Sequence, residues 1–225
     1  PYYVAATAET TRFSDARCGE FGGGVAADWN AAYAKAVGEA LERYAAGVYR
    51  ESSFRHAPTT GVVDAVPVSA FVRPDDAPTP DPDERVAWTD GANLRDGSYA
   101  AVPASFVHFP QPGRAFTPQI TTGLGLGNST DEALAAGLAE VIERDATMLA
   151  WYSTFEPVEL RVETDAFETL RKRARAESLS VTPLLFPQEV DLPVLPVPVH
   201  RDRASPPRPL GPAPVLAPPA AVRPP

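Results

Sequence analysis

Two short runs of this chain carry the same charged pattern. Glu39, Glu42 and Arg43 on one, and Glu140, Glu143 and Arg144 on the other, each spell Glu-x-x-Glu-Arg, 101 residues apart. On a helix, positions i, i+3 and i+4 share a face, so each run projects two carboxylates and a guanidinium together. An ordinary solvated helix surface accounts for either copy taken singly, and such a pair is worth roughly a few tenths of a kcal/mol. Two copies in one phase, each in a small-residue helix, point further. If the helices face each other, four carboxylates converge and repel unless divalent cations neutralise them, and Mg²⁺ takes hard oxygen ligands of this kind. The arginines suit phosphate oxygens, which they bind bidentately. The chemistry implied is that of a nucleoside triphosphate with Mg²⁺.

A glycine-rich stretch, Gly123-Leu-Gly-Leu-Gly127, runs into Asn128 and the start of the second helix. Free N–H groups and the helix dipole favour anions there. The stretch matches neither the dinucleotide fingerprint nor the P-loop, because Asn128 stands at the last glycine position and no Gly-Lys-Ser/Thr follows. Ser129 and Glu132 fit a capping box, so Glu132 reads either as a helix cap or as part of the site.

The elements that must position these groups follow from periodicity. Asn30–Val48 reads as a helix with Val37, Leu41, Tyr44 and Val48 on its packing stripe, the charges opposite, and Gly22–Gly24 as a loop before it. Thr130–Leu149 repeats the pattern with Leu134, Leu138, Val141, Ile142 and Leu149, and Thr164–Ser178 reads as a charged, solvated helix. Pro1–Thr7 and Thr60–Val72 suit strands, as does Leu184–Val199, broken by prolines. Helices and strands without regular alternation predict an α+β class, with the paired helices against a mixed or antiparallel sheet. Phe54 and Phe155 follow the first glutamate of each motif at one distance.

The 225 residues include one cysteine, and their formal charge is −9. That balance argues against a non-specific grip on nucleic acid, which needs clustered Lys and Arg. No apolar run reaches 18 residues, which excludes an ordinary membrane-spanning helix. Cys18 reads as an unreactive loop residue, His56, His108 and His200 lack metal-ligand spacing, and Trp29, Trp88 and Trp151 read as core or interface aromatics. Arg171, Arg173 and Arg175 fit a solvated helix face. Residues 73–84, rich in Pro and Asp, read as a surface loop. Fourteen of the 26 prolines crowd residues 183–225, and the charge turns basic from Arg201. A domain over 1–200 followed by a proline-rich, disordered or polyproline II tail over 201–225 is the expected division.

The runs from Ala34 to Tyr44 and from Thr122 to Asp145 resemble the two signature segments of the YcaO family. That family binds ATP without a Walker motif, through paired Glu-x-x-Glu-Arg helices, and phosphorylates a backbone amide oxygen of a peptide. In its cyclodehydratases a Cys, Ser or Thr side chain then attacks the amide to give an azoline, the precursor of thiazole or oxazole. Other members make thioamides or amidines, or assist ribosomal protein modification. The resemblance covers residues 1–200. It implies ATP and Mg²⁺ as cofactors, with Glu39, Glu42, Glu140 and Glu143 holding the metal. Arg43, Arg144, Asn128 and Glu132 fall at its further nucleotide contacts, and the catalytic residue stays unassigned. Ala36 stands where the family usually has Ser, and Gly23 where a Lys is common. A C-terminally truncated or frameshifted domain is expected from the abrupt start of the prolines.

The function expected on this resemblance is ATP-dependent amide activation on a ribosomally made peptide. The expected setting is cytoplasmic, with a peptide-presenting partner or a homodimer compatible with it, and with neither nucleic acid nor membrane. The alternatives are a non-catalytic YcaO-like binding protein or accessory factor, and a plain α+β fragment with the acidic surface of a salt-adapted proteome.

Overall fold

Strands β1 (Tyr2–Ala6) and β2 (Phe21–Val25) pair antiparallel, with Tyr2 opposite Val25 and Ala6 opposite Phe21. Helix α1 (Trp29–Ala46) starts at Asp28, whose side chain accepts the Ala31 N–H at 2.9 Å. The computed structural model describes residues 1–201 apart from 19, 20, 155, 187 and 189. Phe155 and all but the first residue of the proline-rich 201–225 segment therefore lie outside the described residues.

The contact between β2 and α1 is made of backbone. Ala32, Ala36 and Ala40 are the buried side chains of the helix, spaced i, i+4, i+8. A Cβ on Gly24 would overlap the Ala32 carbonyl oxygen, and one on Gly22 the Ala36 carbonyl oxygen. Glycine within a strand marks such a close approach. Gly22–Gly24 is thus a strand rather than the expected loop. The apolar stripe expected to pack does so only in part: Val37 and Tyr44 are half-buried, while Leu41 is 50% exposed and Val48 is exposed as well. Hydropathy favours large side chains, but the nearness of the two backbones admits only the small ones.

The C-terminal end of α1 is closed by residues distant in sequence. The Ala46 carbonyl accepts the Phe109 N–H at 3.2 Å and lies 3.2 Å from His108 Nδ1. The Arg43 carbonyl accepts from the Gly47 N–H at 3.1 Å and from the Cys18 thiol at 3.5 Å. Carbonyls orphaned by the end of the helix are satisfied this way. Cys18 is buried at this helix end.

A second sheet, order β3-β4-β5, is antiparallel throughout: β3 (Arg55–Ala57), β4 (Val86–Ala92) and β5 (Tyr99–Pro103). Val62, Val68, Val86, Trp88, Ala101 and Phe116 form its core. Trp88 is 2% exposed and its indole N–H donates to the Ala57 carbonyl at 2.9 Å. Trp29 and Trp151, by contrast, are exposed. Thr60–Val72 is not the expected strand. It holds two single 3₁₀ turns, Thr59–Gly61 and Val68–Ala70, each entered from a proline, Pro58 and Pro67. The prolines set the turns, while Val62 and Val68 still deliver their side chains to the core. Residues 73–84 form an irregular surface segment, as expected, pinned by Arg73 to the Pro78 and Phe116 carbonyls.

The chain divides into two compact units, Pro1–Leu138 and Ala139–Pro225. The second begins within helix α2 (Thr130–Tyr152). It continues with β6 (Val158–Glu159), α3 (Asp165–Ala176), β7 (Leu179–Val181), β8 (Leu184–Leu185) and β9 (Val199–Arg201). β6 pairs with β8 and β7 with β9, both antiparallel. Thr164 caps α3 by accepting the Phe167 N–H at 3.2 Å. Leu134, Leu138, Val141 and Leu149 of α2 are exposed, against expectation, while Ala146 is buried. The α+β class holds. Among the described residues no helix is long and apolar enough to cross a membrane.

Candidate functional site

The first Glu-x-x-Glu-Arg motif is anchored to β2. The Glu39 Oε2 accepts the Gly23 N–H at 2.6 Å, and its Oε1 accepts from Arg43 at 2.6 Å. Arg43 also donates to the Phe21 carbonyl. Glu39 and Arg43 lie one helical turn apart, on the side of α1 that carries Ala36 and Ala40. The charges thus share the packing face, where they had been expected to point away from it. Glu42, three residues past Glu39, is half-buried.

The glycine-rich stretch lies in the same unit as this motif. A Cβ on Gly38 would sit 3.3 Å from Leu126 Cδ2, so Leu126 runs against α1 beside Glu39. At the start of α2, Ser129 and Glu132 cap the helix, with the return bond falling one residue before the N-cap. Ser129 Oγ accepts the Glu132 N–H at 3.2 Å, and Glu132 Oε2 accepts the Asn128 N–H at 2.7 Å. Glu132 and the Asn128 backbone therefore order the mouth of the helix.

The spacing of 101 reaches well beyond the charged residues. Gly22 and Gly24 have counterparts in Gly123 and Gly125, Asp28 in Ser129, and Ala32 and Ala36 in Ala133 and Gly137. The contacts repeat as well as the residues. A Cβ on Gly125 would overlap the Ala133 carbonyl oxygen, as one on Gly24 overlaps that of Ala32. A Cβ on Gly137 meets the Gly123 carbonyl oxygen. A glycine segment laid on a small-residue helix is thus the shared support of both motifs. Extending the sequence comparison upstream of each glutamate would have exposed it.

The second motif repeats the ion pair of the first. Arg144 donates to Glu140 Oε1 from Nε at 2.8 Å and from Nη2 at 2.7 Å. Glu143 Oε1 is buried and has no hydrogen-bond partner among the described residues. Burial, reinforced by the Glu140 charge and opposed by Arg144, pushes the Glu143 carboxyl above its usual range. A buried carboxylate oxygen without a donor is the chemistry a cation would satisfy. Among the described residues, no three His, Cys, Asp or Glu side chains gather into a metal-holding set. A Mg²⁺ bound with a nucleotide needs only one or two carboxylates, since phosphates and water complete its shell.

A family model described as YcaO cyclodehydratase, ATP- and Mg²⁺-binding, matches residues 23–223. The chain belongs to the YcaO family. Among solved structures, this YcaO chain is similar to YcaO from Methanopyrus kandleri bound with AMPPCP and Mg²⁺. That match has 28% identity, a TM-score of 0.66, and covers 82% of this chain and 47% of that one. A heterocyclase in complex with substrate and cofactor shares the fold at 19% identity and TM-score 0.74, over 83% of this chain and 28% of that one. The heterocyclase TruD does so at 18% identity and TM-score 0.68, over 76% and 29%. This YcaO chain thus spans less than half the length of each of these structures. No curated protein matches it.

Proposed function

We propose that this YcaO chain binds ATP with Mg²⁺ and that its domain serves to activate a peptide backbone amide. The observation that carries the reading is Glu143, with a buried carboxylate oxygen that has no donor among the described residues, inside a Glu-x-x-Glu-Arg motif of a family described as ATP- and Mg²⁺-binding. Glu39, Glu42, Glu140 and Glu143 are the proposed metal ligands. Arg43 and Arg144 are the proposed phosphate contacts, with Asn128 and Glu132 shaping the helix mouth. Mg²⁺ would supply charge neutralisation on the phosphate oxygens. The residues of the chain position and neutralise, which is most of what phosphoryl transfer requires. In the reaction, the amide oxygen takes the γ-phosphoryl group and ADP leaves. A nucleophile then adds to the amide carbon and gives up its proton, and inorganic phosphate departs with the former amide oxygen while a second proton, from the amide nitrogen for an azoline or from the sulfur donor for a thioamide, is released. Azoline formation follows if the nucleophile is a Cys, Ser or Thr of the peptide, and a thioamide if it is an external sulfur donor.

A second reading is kept because the chain spans only 47% of the Methanopyrus structure. In it the chain binds nucleotide or peptide without turnover, as an accessory factor. Calorimetric titration of Mg·ATP tests the first step. Saturable binding by the parent chain that falls at least tenfold in Glu143→Gln supports the site, and no binding by the parent rejects it. Phosphate release stimulated by a Cys-containing peptide then separates enzyme from binder.

A further inference from the structure

A small cleft with a few polar groups in its lining lies apart from both charged helices, against the β3-β4-β5 sheet. It has room of about 60 Å³ and shares no lining residue with the Glu-x-x-Glu-Arg motifs. Ser105 lines it at 4% exposure, and its hydroxyl has no partner among the described residues. A buried unpaired hydroxyl costs free energy unless something polar meets it. Arg85 and Arg114 stand in the same lining, with His56, Glu84 and Phe116.

The bonding of the two arginines leaves capacity for a ligand. Arg114 gives Nη1 to Glu84 at 2.6 Å and lies over the Phe116 ring, 5.5 Å from its centroid. Arg85 gives one N–H to the His56 carbonyl. Each guanidinium has five N–H donors, so these bonds leave most of them for a guest. Glu84 is ionised, held below the usual carboxylate range first by the hydrogen bond from Arg114. Two arginines against one carboxylate leave an excess positive charge, within a chain whose formal charge is −9. A buried hydroxyl, two exposed guanidinium groups in one lining and one excess charge match a flat monoanion. A water needs about 10–15 Å³ of such room, so the cleft holds a group of a few heavy atoms and not a nucleotide.

We propose that this cleft is a carboxylate-binding site, in which Ser105 donates to one oxygen and Arg85 and Arg114 face the other. The carboxylate belongs either to a free small acid or to the side chain or C-terminus of a polypeptide. NMR titration of the chain with sodium acetate, against sodium chloride at equal ionic strength, reads the Arg85 and Arg114 Nε–H signals. Saturable shifts with acetate alone support the site, and identical shifts with both salts overturn it. Ser105→Ala weakens acetate about tenfold, the loss of one hydrogen bond to a charged group. The exposed substitution Arg85→Gln does so without touching the core. Unchanged affinity in both variants places the acetate outside this cleft and overturns the proposal. A short peptide with a single Asp, compared with its Asn counterpart, distinguishes the sources. Tighter binding of the Asp peptide than of acetate assigns a polypeptide ligand, and equal affinities assign a small acid.

Discussion

Glu39 holds the Gly23 N–H at 2.6 Å and so ties the first charged motif to the strand beneath it. The same carboxylate grips Arg43, which donates in turn to the Phe21 carbonyl. One glutamate therefore orders strand and arginine together. Glu39→Gln keeps an acceptor for Gly23 and is expected to fold near parental stability while weakening Mg·ATP. Glu39→Ala leaves the strand amide without its acceptor and lowers stability by about 1–2 kcal/mol. Urea unfolding of both variants beside calorimetry separates the two roles. Equal stability loss in both would refute the distinction.

Neighbouring glycines of β2 are expected to respond in opposite ways. Gly24→Ala drives a methyl into the Ala32 carbonyl and destabilises the chain by about 2 kcal/mol or more. At Gly23 the nearest atoms are 3.8 Å away, so Gly23→Ala is tolerated. Thermal melts of the two variants check the contrast, which fails if both are neutral.

Glu143 couples stability to pH. Its folded carboxyl titrates above the unfolded value, so its contribution is fully present below the unfolded value and is lost as pH rises through the folded one. Removing the charge by Glu143→Gln is therefore expected to raise the urea midpoint at neutral pH without metal. The same substitution weakens Mg·ATP, because the cation favours the ionised form. Affinity for Mg·ATP should rise with pH across the Glu143 titration. A flat pH profile of affinity, with no gain in stability, would sink the assignment.

His108 acts in the other direction. Burial lowers its pKa, opposed by the bond to the Ala46 carbonyl. With the proton on Nδ1 the neutral ring serves that carbonyl, and Nε2 is buried without a partner among the described residues. Its contribution is present above the unfolded value and disappears as pH falls through the folded one. The stability of the parent should fall with acid below about pH 6.5, and that of His108→Asn less steeply. Nitrogen shifts of the His108 ring check the tautomer directly.

Trp88 anchors the second sheet through burial and one hydrogen bond. Trp88→Ala should cost about 3–5 kcal/mol. Trp29→Ala, at an exposed position, should cost under about 1 kcal/mol. Denaturant midpoints report both.

Helices α1, α2 and α3, the capping box of Ser129 and Glu132, and the repeated charged motif were all legible along the chain. Each depends on residues within a turn or two of one another, where spacing alone sets the geometry. The family was legible for the same reason, since its signature is a pattern of near neighbours. Tertiary structure decided what each face meets. It made a strand of Gly22–Gly24, because only backbone without side chains reaches the alanine side of α1. It left Leu41 exposed and buried Trp88 but not Trp29, choices that hydropathy does not encode. It also paired Glu39 with a strand amide and left one oxygen of Glu143 without a partner among the described residues, contacts that the motif pattern does not specify. Hydrogen-bond satisfaction and close approach depend on residues far away in the chain, and no local pattern carries them.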